Sequence, residues 1–282
     1  MDHLSPEAVP ASRPQGLRAH TPAADAVVTA QALTKVYGRG DNAVKALDQV
    51  DVSLGRGRFT AIMGPSGSGK STLMHCLAGL ERATSGTIDL DGELVSSMSQ
   101  RRLTRLRRER IGFVFQAFNL VPSLSAEENI TLPLDIAHRK VDRAHFNRVV
   151  DAVGLRDRLT HRPAELSGGQ VQRVACARAL VGRPAVVFAD EPTGNLDSQA
   201  TRQVLTILRE SVDEMGQSVV MVTHEPEAAA WADTVLFLRD GKVVAQMDDP
   251  DQERVLDALR ELAQPLDPAS EQPLASETRS QS

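Results

Sequence analysis

Apolar residues along this 282-residue chain fall into short dense clusters separated by glycine, proline and charged turns. From Val27 the pattern is strand-like through Val36 and again over Val50 to Leu54, and Phe59 to Met63 follows as an unbroken apolar run. Ser71 to Leu80 reads as a helix, and Gly86 to Gly92 as a short strand and turn. Residues 101–110 carry six arginines around Leu103 and Leu106, a pattern that suits a helix with a solvated basic face. Ile111 to Phe115 is a compact strand. Ser125 to Gly154 has helical period, broken once at Pro133, and a further helix opens at Leu166 to Gln170. Ala185 to Ala189 is continuously apolar, which predicts a strand buried on both faces. A helix over 199–215, a strand at Ser218 to Val222, another helix and a strand at Thr234 to Leu238 then alternate. Such alternation predicts βαβ units around a mostly parallel sheet. Val255, Leu256, Leu259 and Leu262 mark a final amphipathic helix.

The two ends are different. Residues 1–26 and 265–282 are polar or Pro- and Ala-rich without periodicity, and read as disordered tails. That leaves one unit over 27–250 and a helix over 251–264. Apolar content of 41% and charged content of 24% are those of an ordinary globular protein. A net charge of −5 argues against a general nucleic-acid binder, and no nucleic-acid partner is expected. Cys76 and Cys176, far apart in expected helices, read as reduced core residues. No run approaches the roughly 18 apolar residues of a membrane helix. Nor does a basic segment followed by an apolar stretch suggest a secretion signal. Any membrane role is expected to come through a partner.

The candidate chemistry begins at Gly64, Pro65, Ser66, Gly67, Ser68, Gly69, Lys70, Ser71 and Thr72. This stretch matches G-x-x-x-x-G-K-[ST] between an apolar strand and a helix, the context a P-loop requires. Its glycines let backbone N–H groups turn inward on a polyphosphate, Lys70 adds a point charge, and Ser71 offers a hydroxyl to Mg²⁺. A nucleoside triphosphate is the expected ligand. Asp190 and Glu191 end the buried strand, and ligands of open parallel sheets bind at such strand ends. Asp190 suits the Mg²⁺ shell, and Glu191 suits a water attacking the γ-phosphate in line. Tyr37, the only tyrosine, either stacks on a base or is a half-buried strand residue.

Taken in order, the P-loop, Gln116, Leu166-Ser167-Gly168-Gly169-Gln170, Asp190-Glu191, Asn195 to Asp197 and His224 resemble an ATP-binding-cassette (ABC) ATPase over residues 27–250. The resemblance implies an α/β fold. Its parts would be a RecA-like P-loop NTPase core, an N-terminal antiparallel β subdomain and an inserted helical subdomain at about 117–180 carrying the Leu-Ser-Gly-Gly-Gln signature. It also implies a head-to-tail homodimer with two sandwiched ATP molecules, each P-loop facing the partner's signature residues Ser167, Gly168, Gly169 and Gln170. Tyr37 then matches the adenine-stacking aromatic. Gln116 matches the residue that senses Mg²⁺ and the attacking water, and Asp197 the residue that crosses the interface. His224 matches the histidine that holds the γ-phosphate and the water of Glu191. Val171 departs from the usual glutamine or basic residue, which touches fine tuning rather than hydrolysis.

Phe118 to Pro122 and Pro192 to Asp197 narrow the resemblance to the subgroup serving lipoprotein release, macrolide-type export and cell-division permeases. The implied role is an ATPase subunit powering separate integral membrane permease subunits, cytoplasmic and peripheral on the cytoplasmic face of the membrane. The alternative within the subgroup is a regulatory ATPase controlling an envelope or cell-division complex without moving solute. Relatives acting on DNA carry a long coiled coil or zinc inserts, and this chain shows neither heptads nor Cys-x-x-Cys pairs. Phe118, Leu120, Val121 and Leu124 are expected to form an exposed apolar patch for a permease helix, the alternative being that they pack inside the helical subdomain.

Overall fold

The computed structural model describes residues 17–21 and 23–262. The chain runs β1 (Leu17–Arg18), β2 (Ala26–Tyr37), β3 (Val44–Gly55), β4 (Phe59–Met63), α1 (Lys70–Leu77), β5 (Ser85–Leu90), β6 (Glu93–Leu94), α2 (Gln100–Arg110) and β7 (Ile111–Phe115). Then follow α3 (Ala126–Ile136), α4 (Arg143–Ala152), α5 (Gly168–Leu180), β8 (Val186–Asp190), α6 (Ser198–Asp213) and β9 (Ser218–Val222). The remainder is α7 (Pro226–Ala229), β10 (Thr234–Arg239), β11 (Lys242–Asp248) and α8 (Gln252–Leu262). Among the described residues no helix is long and apolar enough to cross a membrane.

Two sheets form. The larger has strand order β1-β11-β10-β4-β9-β8-β7, and its members β10, β4, β9, β8 and β7 pair in parallel. The smaller is antiparallel, in order β3-β2-β5-β6. The apolar runs of the large sheet supply two cores because side chains alternate across a strand. Ile62, Phe188 and Val220 project into a core shared with the small sheet, α1 and α2. Phe59, Val187 and Val219 project the other way, against α5 and α6. The P-loop NTPase core and the antiparallel β subdomain are thus both present, with α3, α4 and α5 inserted between β7 and β8.

Several local expectations change. The tail expected to reach residue 26 includes β1, which pairs antiparallel with β11 through Leu17 and Met247. Nearby, the Ser53 N–H donates to His20 Nε2 at 2.9 Å, and His20 Nδ1 lies 2.8 Å from Gln246 Oε1. These partners are far away in sequence, so no local period announces them. Residues 1–16 and the tail expected at 265–282 lie outside the described residues. Pro133 does not break its helix but sits inside α3. The interruption comes at His138, in the left-handed region (φ +52°), before Asp142 caps α4.

The basic face of α2 is largely engaged within the chain. Arg107 donates to the Gly79 carbonyl (2.6 Å), Arg108 to that of Ile136 (3.1 Å), and Arg110 pairs with Asp91 (2.9 Å).

The apolar side chains expected to be exposed after Gln116 are instead partly packed. Phe118, Leu120, Val121 and Leu124 are all half-buried, and Leu120 packs on the helical core. Buried Asn129 pins the segment: its amide donates to the carbonyls of Val121 (3.1 Å), Leu124 (3.1 Å) and Ser125 (2.9 Å), and its oxygen accepts from Val121 N (2.8 Å). A charge at Leu120 would be driven into that packing. We expect Leu120→Asp to cost about 1–3 kcal/mol of stability, visible as a lower Tm of the isolated protein. An unchanged melt would show that the side chain is free for a partner.

Candidate functional site

The loop from Gly64 to Gly69 is held from below by parts of the chain remote in sequence. A Cβ on Gly64 (φ +149°) would lie 2.0 Å from the Leu238 carbonyl, and one on Gly69 (φ +100°) would lie 2.4 Å from that of Ala46. Only glycine fits at both positions. The Gly241 N–H, in the β10–β11 turn, donates to the Ser68 carbonyl (3.0 Å). Lys70 Nζ donates to the carbonyls of Gly64 (2.9 Å) and Pro65 (2.8 Å), which holds the ammonium at the loop mouth. Burial lowers its pKa from 10.5, opposed by the charges of Glu191 and Asp190. α1 begins here, so its first N–H groups and positive dipole end face the same space. The arrangement can hold an anion.

The carboxyl ends of β4, β7, β8 and β9 converge beside it. Ser71 Oγ donates to Asp190 Oδ1 at 3.3 Å. Glu191 takes a left-handed conformation (φ +45°), fixed by its N–H donating to the Val222 carbonyl (2.9 Å). Its Oε1 lies 3.2 Å from His224 Nδ1, just past the end of β9. A cavity of about 390 Å³ is lined by Ser71, Gln116, Asp190 and Glu191, with Phe115, Ala117 and Asn119. Tyr37 ends β2 and is 39% exposed, with the Lys35 ammonium 4.7 Å from the ring centre. Its hydroxyl donates to Glu81. Val44, its cross-strand partner, is 63% exposed and gives the same corner a second apolar side chain.

One neighbour escaped the sequence reading. His75 Nε2 lies 3.7 Å from Asp190 Oδ2 and its Nδ1 lies 3.9 Å from Glu81. Asp190 raises the His75 pKa from 6.5, against a smaller opposing effect of burial. The available signal was spacing, since His75 stands one helical turn after Ser71 on the same face.

Ser167 and its neighbours gather elsewhere. Ser167 caps α5: the Gln170 N–H donates to Ser167 Oγ (3.3 Å), and the Ser167 N–H donates to Gln170 Oε1 (2.8 Å). The side chain of Gln170 is therefore engaged within the cap. Ser167, Gly168, Gly169 and Gln170 line a second cavity, about 270 Å³, together with Asn195, Leu196 and Asp197. Asp197 Oδ1 caps α6 by accepting from Ala200 N (2.8 Å). No P-loop residue lines this second cavity. A bridge does exist, because Gln116 and Asn195 exchange hydrogen bonds: Gln116 Nε2 to Asn195 Oδ1 (3.3 Å) and Asn195 Nδ2 to the Gln116 carbonyl (3.2 Å). The signature residues and Ser71 of the P-loop therefore line two separate cavities of one chain.

Comparison with known proteins gives the family. A family model described as ABC transporter matches residues 47–194. The lipoprotein-releasing system ATP-binding protein LolD of Bordetella pertussis is 44% identical over 216 residues, 76% of this chain and 94% of that one. The macrolide export ATP-binding/permease protein MacB of Bdellovibrio bacteriovorus is 43% identical over 223 residues, 79% of this chain but only 34% of that protein. Among solved structures, the dimeric post-hydrolysis state of the ATP-binding cassette MJ0796 bound to ADP and Pi superposes with a TM-score of 0.71 at 37% identity, covering 79% of this chain and 98% of that one. The chain belongs to the ABC transporter family, as an ATP-binding and ATP-hydrolysing cassette.

Proposed function

We propose that this cassette completes its catalytic site only by pairing head to tail with a second copy, and that the resulting cycle drives a separate membrane permease. The carrying observation is the division of the site. Lys70, Ser71, Asp190, Glu191 and His224 sit on one side, and Ser167 to Gly169 line a different cavity with Asp197. A partner's Ser167 hydroxyl and α5 N-terminus supply the anion contacts that the P-loop side lacks. Glu191 accepts a proton from the attacking water, and His224 holds Glu191 and the γ-phosphate in register. Tyr37 and Val44 offer apolar surface to the adenine.

Mg²⁺ fits the donor set. Among the described residues no cluster of three or more His, Cys, Asp or Glu forms a protein-only cage. The available ligands are the Ser71 hydroxyl, the Asp190 carboxylate and the Gln116 amide, hard oxygen donors that suit Mg²⁺ shared with phosphate. When bound, the ion would neutralise charge developing on the β- and γ-phosphate oxygens. The membrane partner is supported by the family and by the roles named for LolD and MacB. Such a partner would put the cassette at the cytoplasmic face of the membrane.

Dilution tests the composite site. Specific ATPase activity is expected to fall as protein is diluted below the dimer dissociation constant, and EDTA is expected to abolish it at every concentration. Specific activity independent of protein concentration would overturn the shared site.

A further inference from the structure

Two side chains of α5 reach the active-site loops of their own chain, and neither belongs to the anion-binding signature. Gln172 is fully buried, and its Nε2 donates to the carbonyls of Pro192 (2.6 Å) and Phe115 (3.2 Å). Those carbonyls belong to the residue after Glu191 and the residue before Gln116. Two carbonyl neighbours require a donor, which fixes the orientation of the amide and leaves its buried Oε1 without a partner among the described residues. Two loops, one after Glu191 and one before Gln116, thus meet at one amide group. Further along the helix, Arg178 donates to the carbonyls of Asn119 (2.6 Å) and Phe118 (3.0 Å).

The backbone at these points explains why it needs holding. Glu191, Phe118 and Asn119 all occupy the left-handed region, with φ of +45°, +56° and +52°. Non-glycine residues stay there only where their surroundings over-determine them. The carbonyl after Glu191 and those of Phe118 and Asn119 are the ones gripped by Gln172 and Arg178. Ser167, at the start of the same helix, faces the other cavity.

We propose that Gln172 and Arg178 are positioning residues for hydrolysis. They clamp the Gln116 loop at both ends and fix it against Glu191. They also tie both loops to the helix that presents Ser167 to the partner copy. This rests on the reading of Glu191 as the base and Gln116 as a metal donor in hydrolysis. It adds a rigid link between the two partial sites of one chain, so that engagement of Ser167 in one site sets loop geometry in the other.

The test uses Gln172→Leu, which removes both donors at similar volume, with Arg178→Lys as a milder second variant that keeps the charge and loses the fork. Hydrogen exchange on the full chain reads loop positioning without any chemistry. Amides of residues 116–119 and 193–197 are expected to exchange faster, while α5 and the large sheet keep their protection. The kcat for ATP is expected to fall about tenfold to a hundredfold, with KM and the equilibrium affinity for a fluorescent ATP analogue within about twofold. In a Glu191→Gln background, single-turnover hydrolysis should lose little more on adding Gln172→Leu, because both changes act on one step. Unchanged exchange in both loops, or an unchanged kcat, overturns the proposal. So does a loss that is additive with Glu191→Gln and accompanied by equal losses of ATP affinity and Tm, the signature of a packing role. Should Gln172→Leu fail to fold, Arg178→Lys carries the same readouts. Near-normal turnover by Glu191→Gln alone would instead refute the assignment of Glu191, and the exchange data would still decide the clamp.

Discussion

Glu191→Gln is expected to lower ATP turnover about 10²- to 10⁴-fold, the range a positioned general base contributes, while ATP affinity stays at the parent level. The substitution preserves shape. The left-handed backbone and its bond to the Val222 carbonyl do not involve the side chain, and the amide oxygen can still face His224. Lys70, Ser71 and Asp190 are untouched, so the proposed phosphate cradle and metal donors remain. Binding without hydrolysis should trap the pair of copies, and the variant should elute as an ATP-loaded dimer on a sizing column. Turnover near the parent rate would exclude Glu191 as the base.

The second large effect separates the two partial sites. Lys70→Ala deletes the charge aimed at the phosphates and also the two hydrogen bonds that hold the loop carbonyls. A charge-assisted bond contributes about 1.5–3 kcal/mol, so ATP affinity should fall roughly tenfold to a hundredfold. Ser167→Arg should bind ATP like the parent yet form no dimer, because the bulky cation would meet the partner's P-loop. Ser167 is also the cap of α5, and losing a cap costs about 1 kcal/mol. Ser167→Ala therefore serves as the control: it should share the small fall in Tm and still dimerise. Measured by nucleotide titration and by sizing in the Glu191→Gln background, equal affinity losses in Lys70→Ala and Ser167→Arg would contradict a divided site.

Much of this was legible in the sequence, for local reasons. The run Ala185 to Ala189 reads as a strand covered on both faces, and Val187 and Phe188 do feed opposite cores. The glycines and lysine of the P-loop announce a strand–loop–helix turn, because left-handed backbone and a helix start are decided by neighbouring residues. Periodicity likewise separates the alternating helices and strands that build the parallel sheet. The order of the motifs shows the family.

What the tertiary structure alone decided are the partners. The large sheet places β4 between β10 and β9, strands more than 150 residues further along. That order sets the Gly241 turn beneath the P-loop and Glu191 beside His224. His75 looked like one helix residue among others until β8 brought Asp190 to it, and Gln172 until two loops converged on its amide. The break at His138 rather than Pro133, and the partial burial of Leu120, depend likewise on packing within the helical insertion. Local sterics and hydrophobic period are written in neighbouring residues. Hydrogen-bond partners across a non-consecutive sheet depend on which remote strands pair, and that is settled only when the burial of both cores selects one strand order.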